Sequence, residues 1–167
     1  YTLNIISADR NSITFNAPSI EDTMMIGFII SKYVSYPDFI TLEGDLGIGK
    51  TLMARSIITF QLKCNEQVPS PSYLICLTYN VENNKTISHI DPYRLRSEDR
   101  PLSALIDYDD IVANNLCIVE WPNLVPDLIE PIKQSILSIS INSTNFNTEC
   151  RTITLTTKNV KWLNIFV

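Results

Sequence analysis

Glycine is scarce in this chain. It occurs four times in 167 residues, at positions 27, 44, 47 and 49. Histidine is scarcer still: His89 stands alone, which excludes a metal centre built from several imidazoles. The four cysteines, Cys64, Cys76, Cys117 and Cys150, are widely spaced and form no C-x-x-C pair. They are expected as reduced, apolar-packing thiols of a cytoplasmic protein. No apolar run approaches ~18 residues, so no membrane-spanning helix and no membrane partner is expected. The opening YTLNIISADRNS lacks the basic-then-apolar layout of a secretory signal. It starts on Tyr1 rather than Met, as it would after loss of a few residues. Basic charge is also short: 13 Lys and Arg face 18 Asp and Glu, a net charge of −5. A chain that grips nucleic acid by itself usually offers a basic face. Nucleic acid is therefore expected only as an indirect partner.

The remaining composition is that of a globular protein, 45% hydrophobic and 19% charged, and the length suits one domain over residues 1–167. Strands are expected at Leu3–Ser7 and Ser12–Phe15. Ser19 and Asp22 form a capping box before a helix carrying Ile26, Ile29, Ile30 and Val34 on one face, with Pro37 as its stop. Phe39–Leu42 reads as a buried strand. A helical stripe of Met53, Ile57 and Phe60, with Ala54, Ile58 and Leu62 beside it, follows the glycines. Pro69–Ser72 reads as an extended loop. Tyr73–Tyr79 and Thr86–Asp91 read as hairpin arms turning at Asn83-Asn84. An irregular or briefly helical excursion is expected over Arg94–Tyr108, a buried strand at Leu116–Val119, and alternating strands at Ile136–Ile141 and Arg151–Thr157, with Trp162 in the C-terminal strand region. Strands interleaved with helices predict an α/β fold with a mixed central sheet flanked by helices.

Three of the four glycines fall within six residues, and they complete G-x-x-x-x-G-K-[ST] over Gly44–Thr51. A chance match in a chain of this length is on the order of one in a hundred at average usage, and rarer in one so poor in glycine. The chemistry explains each residue type. Gly44, Asp45, Leu46, Gly47, Ile48 and Gly49 supply backbone N–H groups that can turn inward on a phosphate. The helix opening at Lys50 directs its N-terminal partial charge at the anion. Lys50 supplies a cation to the β- and γ-phosphates, and the Thr51 hydroxyl is a Mg²⁺ ligand.

Such a loop also needs a carboxylate at the end of a neighbouring buried strand. Glu120, ending Leu-Cys-Ile-Val, and Asp91, ending Ile87–Ile90, both qualify as metal-holding or water-orienting groups. Ser70 and Ser72 offer hydroxyls of the kind that sense a γ-phosphate, and equally ordinary Ser-Pro turn chemistry. His89 shares a strand face with Asp91 and reads first as structural. Trp121 either borders the nucleotide or covers the core edge, with Pro122 restricting its backbone to extended conformations. Neither Asn84-Lys85-Thr86-Ile87 nor Thr157-Lys158-Asn159-Val160 supplies the aspartate of a guanine-reading [NT]-K-x-D, which favours ATP.

The strings LEGDLGIGKT, SPSY, HIDPYRL and VEWP, in this order, resemble the GDLGAGKT, SPT[FY], H-x-D-x-YR-[IL] and EWP of the bacterial TsaE (YjeE) P-loop ATPases. The resemblance covers Ile40–Pro122. It implies a weak Mg²⁺-dependent ATPase required for forming threonylcarbamoyladenosine at position 37 of tRNAs that read codons starting with A. It also implies docking on a TsaD-like transferase and its TsaB-like paralogue, with tRNA reached through that complex. Carried onto this sequence, Gly44–Lys50 hold phosphates, Thr51 and Glu120 hold Mg²⁺, Asp91 lies near metal or attacking water, and Trp121 borders the nucleotide. Ile48, Ser72, Pro92 and Asp107 depart from the family pattern. Two other readings stay open: a P-loop small-molecule kinase, with Arg94, Arg96 and Arg100 as lid cations, and a nucleotide-dependent adaptor that does not hydrolyse.

Overall fold

The computed structural model describes residues 2–63, 75–97, 99–143, 145 and 148–165. Eight strands form one sheet: β1 (Asn4–Ala8), β2 (Ser12–Ala17), β3 (Asp38–Glu43), β4 (Cys76–Val81), β5 (Lys85–Ile90), β6 (Asn115–Glu120), β7 (Ile136–Asn142) and β8 (Arg151–Thr157). Their spatial order is β1-β2-β8-β7-β3-β6-β5-β4. The four central strands β7, β3, β6 and β5 run parallel, and antiparallel strands extend the sheet on either side. This is the expected mixed α/β sheet.

Burial explains the pattern along each strand. β6 is buried at every position, as is β3 up to Glu43; a strand covered on both faces needs a continuous apolar run. β2 alternates between half-buried and buried residues, as a strand with one covered face does. Two helices pack on one face: α1 (Ile20–Ser31) and α2 (Lys50–Leu62). Ile26 and Ile30 of α1, and Met53, Ala54, Ile57 and Ile58 of α2, meet Ile40, Leu42, Leu116, Ile118 and Ile139 of the sheet. On the other face, Ile90 and Val119 pack with Leu95, Leu102, Val125 and Leu128.

The capping box is present: the Ser19 hydroxyl accepts from the Asp22 N–H, and the Asp22 carboxylate accepts from the Ser19 N–H. The turn at Asn83-Asn84 has both residues at positive φ, 63° and 57°, the requirement of a tight hairpin turn. α1 ends at Ser31, six residues before Pro37, so proline is not its stop. Phe60 is not on the core stripe; it is 41% exposed and meets Phe28 at the outer surface. Trp162 lies in a short helix, α5 (Val160–Leu163), reached from the Asn159 cap, rather than in a strand, and it is fully buried. The excursion before β6 is two 3₁₀ turns, Pro92–Ser97 and Leu102–Ala104, followed by an unforeseen helix, α3 (Tyr108–Asn114). Asp107 begins it by accepting from the Asp109 and Asp110 N–H groups. Pro126–Ile129 forms one further turn, α4. Cys76, Cys117 and Cys150 are free thiols; Cys64, Ser70 and Ser72 lie outside the described residues. Among the described residues no helix is long and apolar enough to cross a membrane.

α1 and α2 approach closely because Gly27 has no side chain. A Cβ there would stand 2.6 Å from the Ser56 Cβ and 3.3 Å from the Met53 carbonyl oxygen. Gly27→Ala gains about 1 kcal/mol of helix propensity but overpacks this contact, which typically costs about 1–3 kcal/mol. We expect a net loss of stability and a Tm lower by several degrees, measured by thermal denaturation.

Candidate functional site

The parallel register brings three strand ends together. Leu42 of β3 pairs with Glu120 of β6, and Ile90 of β5 pairs with Val119. Glu120 therefore lies beside the chain entering the glycine loop, and Asp91 opposite Glu120. In an open parallel sheet this edge is where ligands bind. The cleft here is about 300 Å³, lined by Gly47, Gly49, Lys50, Thr51, Asp91, Tyr93, Glu120 and Trp121 together with Leu46 and Leu52.

The loop's glycines are where the backbone demands them. Gly44 has φ 144°, and a Cβ there would fall 2.4 Å from the Ile141 carbonyl oxygen. Gly49 has φ 120° and precedes α2 without any side-chain cap. The first N–H groups of α2 thus open toward the cleft, where an anion can satisfy them. Ile48 is buried in the main core, so the departure from alanine anchors the loop instead of disturbing it. Arg151 braces the loop from β8: its Nε donates to the Ile48 carbonyl at 2.8 Å. Sequence reasoning missed Arg151, because nothing near it in sequence marks the contact.

Lys50 is only 4% exposed. Its Nζ donates to the Gly44 and Asp45 carbonyl oxygens, each at 2.7 Å, and sits 3.7 Å from the Trp121 ring centre. Burial pulls its pKa below the ordinary lysine value, partly offset by the charges of Glu120, Asp91 and Asp45. The Thr51 hydroxyl donates to Glu120, 2.9 Å from Oε1 and 3.1 Å from Oε2. His89 Nε2 lies 2.9 Å from the same Oε1. His89 is fully buried behind the cleft, where it meets the carboxylate that lines it. Asp91 is 5% exposed, and the Tyr93 N–H donates to its Oδ1 at 3.1 Å.

Trp121 corrects an expectation. Its backbone is left-handed, φ 54° and ψ 55°, not extended. Its N–H still donates to the Leu42 carbonyl at 3.2 Å, prolonging the β3–β6 ladder by one residue. The left-handed turn then brings the indole over Lys50 and against Tyr93, whose ring centre is 4.8 Å away. A positive φ at a bulky residue costs of order 1–3 kcal/mol; cation–π and ring contacts recover energy of that size. Arg96 stacks on the outer side of Tyr93, 4.0 Å from its ring centre, so it is held there rather than offered as a lid cation.

A strand, a glycine loop and a helix, with a carboxylate from the adjacent strand on the loop's threonine, define a phosphate-loop α/β protein. Comparison with known proteins narrows the class. The model of the family described as "Threonylcarbamoyl adenosine biosynthesis protein TsaE" matches residues 17–153, and the chain belongs to that family. The TsaE of Rickettsia conorii is 31% identical over 113 residues, 68% of this chain and 63% of that protein. The TsaE of Bacillus subtilis is 32% identical over 107 residues, 64% of this chain and 65% of that one. The matched part thus spans a little under two thirds of these relatives. Both are named for tRNA threonylcarbamoyladenosine biosynthesis. The crystal structure of B. subtilis YdiB has the same fold, with a TM-score of 0.69 at 25% identity over 95% of this chain and 94% of that one.

Asp91 makes the cleft sensitive to pH. Burial, and then the charge of Glu120, hold its carboxyl above the ordinary value of 3.8. The folded state keeps this proton to a higher pH than the unfolded chain does. Stability is therefore lost as pH rises from 3.8 through the raised value. Asp91→Asn removes that loss. Its Tm should exceed the parent's at pH 7, and the gap should shrink as pH falls toward 3.8, measured by thermal scans across pH.

Proposed function

We propose that the chain binds ATP with Mg²⁺ in this cleft, hydrolyses it slowly, and acts with a TsaD-like transferase and a TsaB-like paralogue to form threonylcarbamoyladenosine at position 37 of tRNAs reading codons that start with A. The observation that carries the reading is the joint presentation of Lys50 and Thr51 at the start of α2, with Glu120 on the Thr51 hydroxyl. The names of the relatives support the pathway.

The donor set suits Mg²⁺. Two neighbouring ligands on an octahedral ion at ~2.1 Å stand about 3.0 Å apart, and Thr51 Oγ1 and Glu120 Oε1 are 2.9 Å apart. Among the described residues no group of three or more His, Cys, Asp or Glu could cage a metal unaided. That agrees with an ion held largely by phosphate and water. Bound Mg²⁺ would neutralise charge on the phosphate oxygens. Lys50 exchanges its loop carbonyls for phosphate oxygens, and the open N–H groups of the loop and of α2 hold the β-phosphate. Glu120 holds the ion with Thr51. Asp91, across the strand ends, orients the attacking water and takes its proton, a task suited to a carboxylate with a raised pKa.

Lys50→Ala should weaken ATP binding roughly 10–100-fold, the loss of one or two charge-assisted hydrogen bonds; Thr51→Ala should lose mainly the Mg²⁺-dependent part. Isothermal titration tests both, and unchanged affinity in the Lys50 variant would sink the reading. Glu120→Gln and Asp91→Asn should lower kcat more than affinity, since both groups act chiefly in the transition state. A pull-down with and without ATP, using this chain as bait, tests the partners. Failure to recover a transferase and paralogue pair in either condition argues against the pathway assignment.

The position of Trp121 makes it a reporter. The other tryptophan, Trp162, is buried and its Nε1 has no hydrogen-bond partner among the described residues, so Trp162→Phe sacrifices none of the hydrogen bonds seen there. In that background Mg²⁺ with ATP should change the Trp121 emission saturably, because the ammonium beneath the indole moves. Calorimetrically confirmed binding without any emission change would place nucleotide away from the ring.

A further inference from the structure

We propose that His89 is a positioning residue for the metal site: it holds Glu120 in its ligand orientation through a contact inside the sheet that is independent of Thr51, the residue with which Glu120 shares Mg²⁺. The inference rests on the reading of the cleft as a Mg²⁺–nucleotide site and extends it to a residue outside the cleft lining.

Three observations carry it. Glu120 is 2% exposed and His89 fully buried, and a carboxylate so far buried is costly without hydrogen-bond partners. Among the described residues the Glu120 side chain has two hydrogen-bond partners, and they differ in kind. The Thr51 hydroxyl donates its one proton to Glu120, and the same oxygen also has to serve the ion through a lone pair. His89 Nε2, at 2.9 Å from Oε1, has no such second duty.

The third observation concerns the other ring nitrogen. His89 Nδ1 is buried and has no hydrogen-bond partner among the described residues. Placing the ring proton there would bury an unpaired N–H and point a lone pair at a carboxylate oxygen. Placing it on Nε2 makes that atom the donor to Glu120 and leaves only an unpaired lone pair on Nδ1. The environment thus selects the tautomer that donates to Glu120. Backbone geometry keeps the donor in place. His89 pairs with Ile118 of β6 on one side and Leu77 of β4 on the other, inside the sheet. Histidine here does for a carboxylate ligand what outer partners usually do for metal ligands.

The test separates positioning from general stability. The affinity of the full chain for the non-hydrolysable analogue adenylyl-imidodiphosphate is titrated with excess Mg²⁺ and with EDTA, and the ratio of the two is the readout. Mn²⁺ affinity of the analogue-bound protein, followed by electron paramagnetic resonance, is the second readout. His89→Leu removes the donor at similar volume. It should lower the Mg²⁺-to-EDTA ratio and the Mn²⁺ affinity about tenfold, the low end of what outer partners of metal ligands contribute. Affinity in EDTA should stay within about twofold. His89→Gln, whose amide can occupy the place of Nε2, should keep the ratio within about threefold of the parent. His89→Asn, too short to reach Glu120, should behave like His89→Leu and serves in its place if the leucine variant does not fold.

An unchanged ratio in the Leu or Asn variant overturns the proposal. So does an equal loss with Mg²⁺ and with EDTA, which is what a merely structural histidine would produce. A folded Gln variant that falls as far as the Leu variant also overturns it. A parent protein that binds the analogue in neither condition overturns the cleft reading itself, and this inference with it.

Discussion

A buried ammonium whose direct partners among the described residues are all neutral is the constraint around which this molecule is arranged. Lys50 rests on two loop carbonyls and the face of an indole. Each of these contacts directs partial negative charge at it, and none of the three carries a full charge. Burial disfavours its charge, and Glu120, Asp91 and Asp45 only partly offset that penalty. A cation held this way has most to gain from a multiply charged anion arriving beside it. The open N–H groups at the start of α2 present the same demand from the backbone side. The loop geometry follows from these requirements. Gly44 must pass within van der Waals reach of Ile141, and Gly49 must turn with positive φ. Ile48 and Arg151 then pin the loop to the core and to β8.

Charge in the cleft is balanced by a second constraint, the crowding of two carboxylates. Asp91 and Glu120 end adjacent parallel strands, and each is almost wholly buried. The sheet gives them different surroundings. Among the described residues Glu120 receives a hydroxyl and an imidazole; Asp91 receives one backbone N–H and is pushed toward its protonated form. Two like groups whose environments diverge are suited to different work. One is a ligand with donors already in place. The other is an acceptor held above the ordinary carboxylate range.

The sequence carries much of this in readable form, for physical reasons that differ by element. The glycine loop was legible because its backbone angles admit few alternatives to glycine. β3 and β6 were legible because burial on both faces demands an unbroken apolar run. The Ser19–Asp22 cap was legible because both partners lie within one turn. The parts that were not legible depend on contacts across the fold. α3 is a seven-residue helix with one buried position, Ile111, too short to show a period. Pro37 suggested a helix stop, but α1 had already ended at Ser31. Arg151 lies 103 residues from the Ile48 carbonyl it holds, and His89 lies 31 residues from Glu120. Such pairs become visible only once strand order and register are known.

Trp121 is where local and long-range constraints conflict, and where the outcome is most informative. Local rules favour an extended backbone before Pro122. The observed left-handed turn places the side chain over Lys50, stacked on Tyr93, which in turn carries Arg96. The result is one continuous stack, from loop lysine to indole to phenol to guanidinium. Its inner end lies in the cleft and its outer end on the exposed 3₁₀ turn at Pro92–Ser97. An anion that draws Lys50 away removes the cation that helps offset the strained turn at Trp121. The contacts that join the phosphate loop to this surface segment thus run through side chains rather than through the sheet.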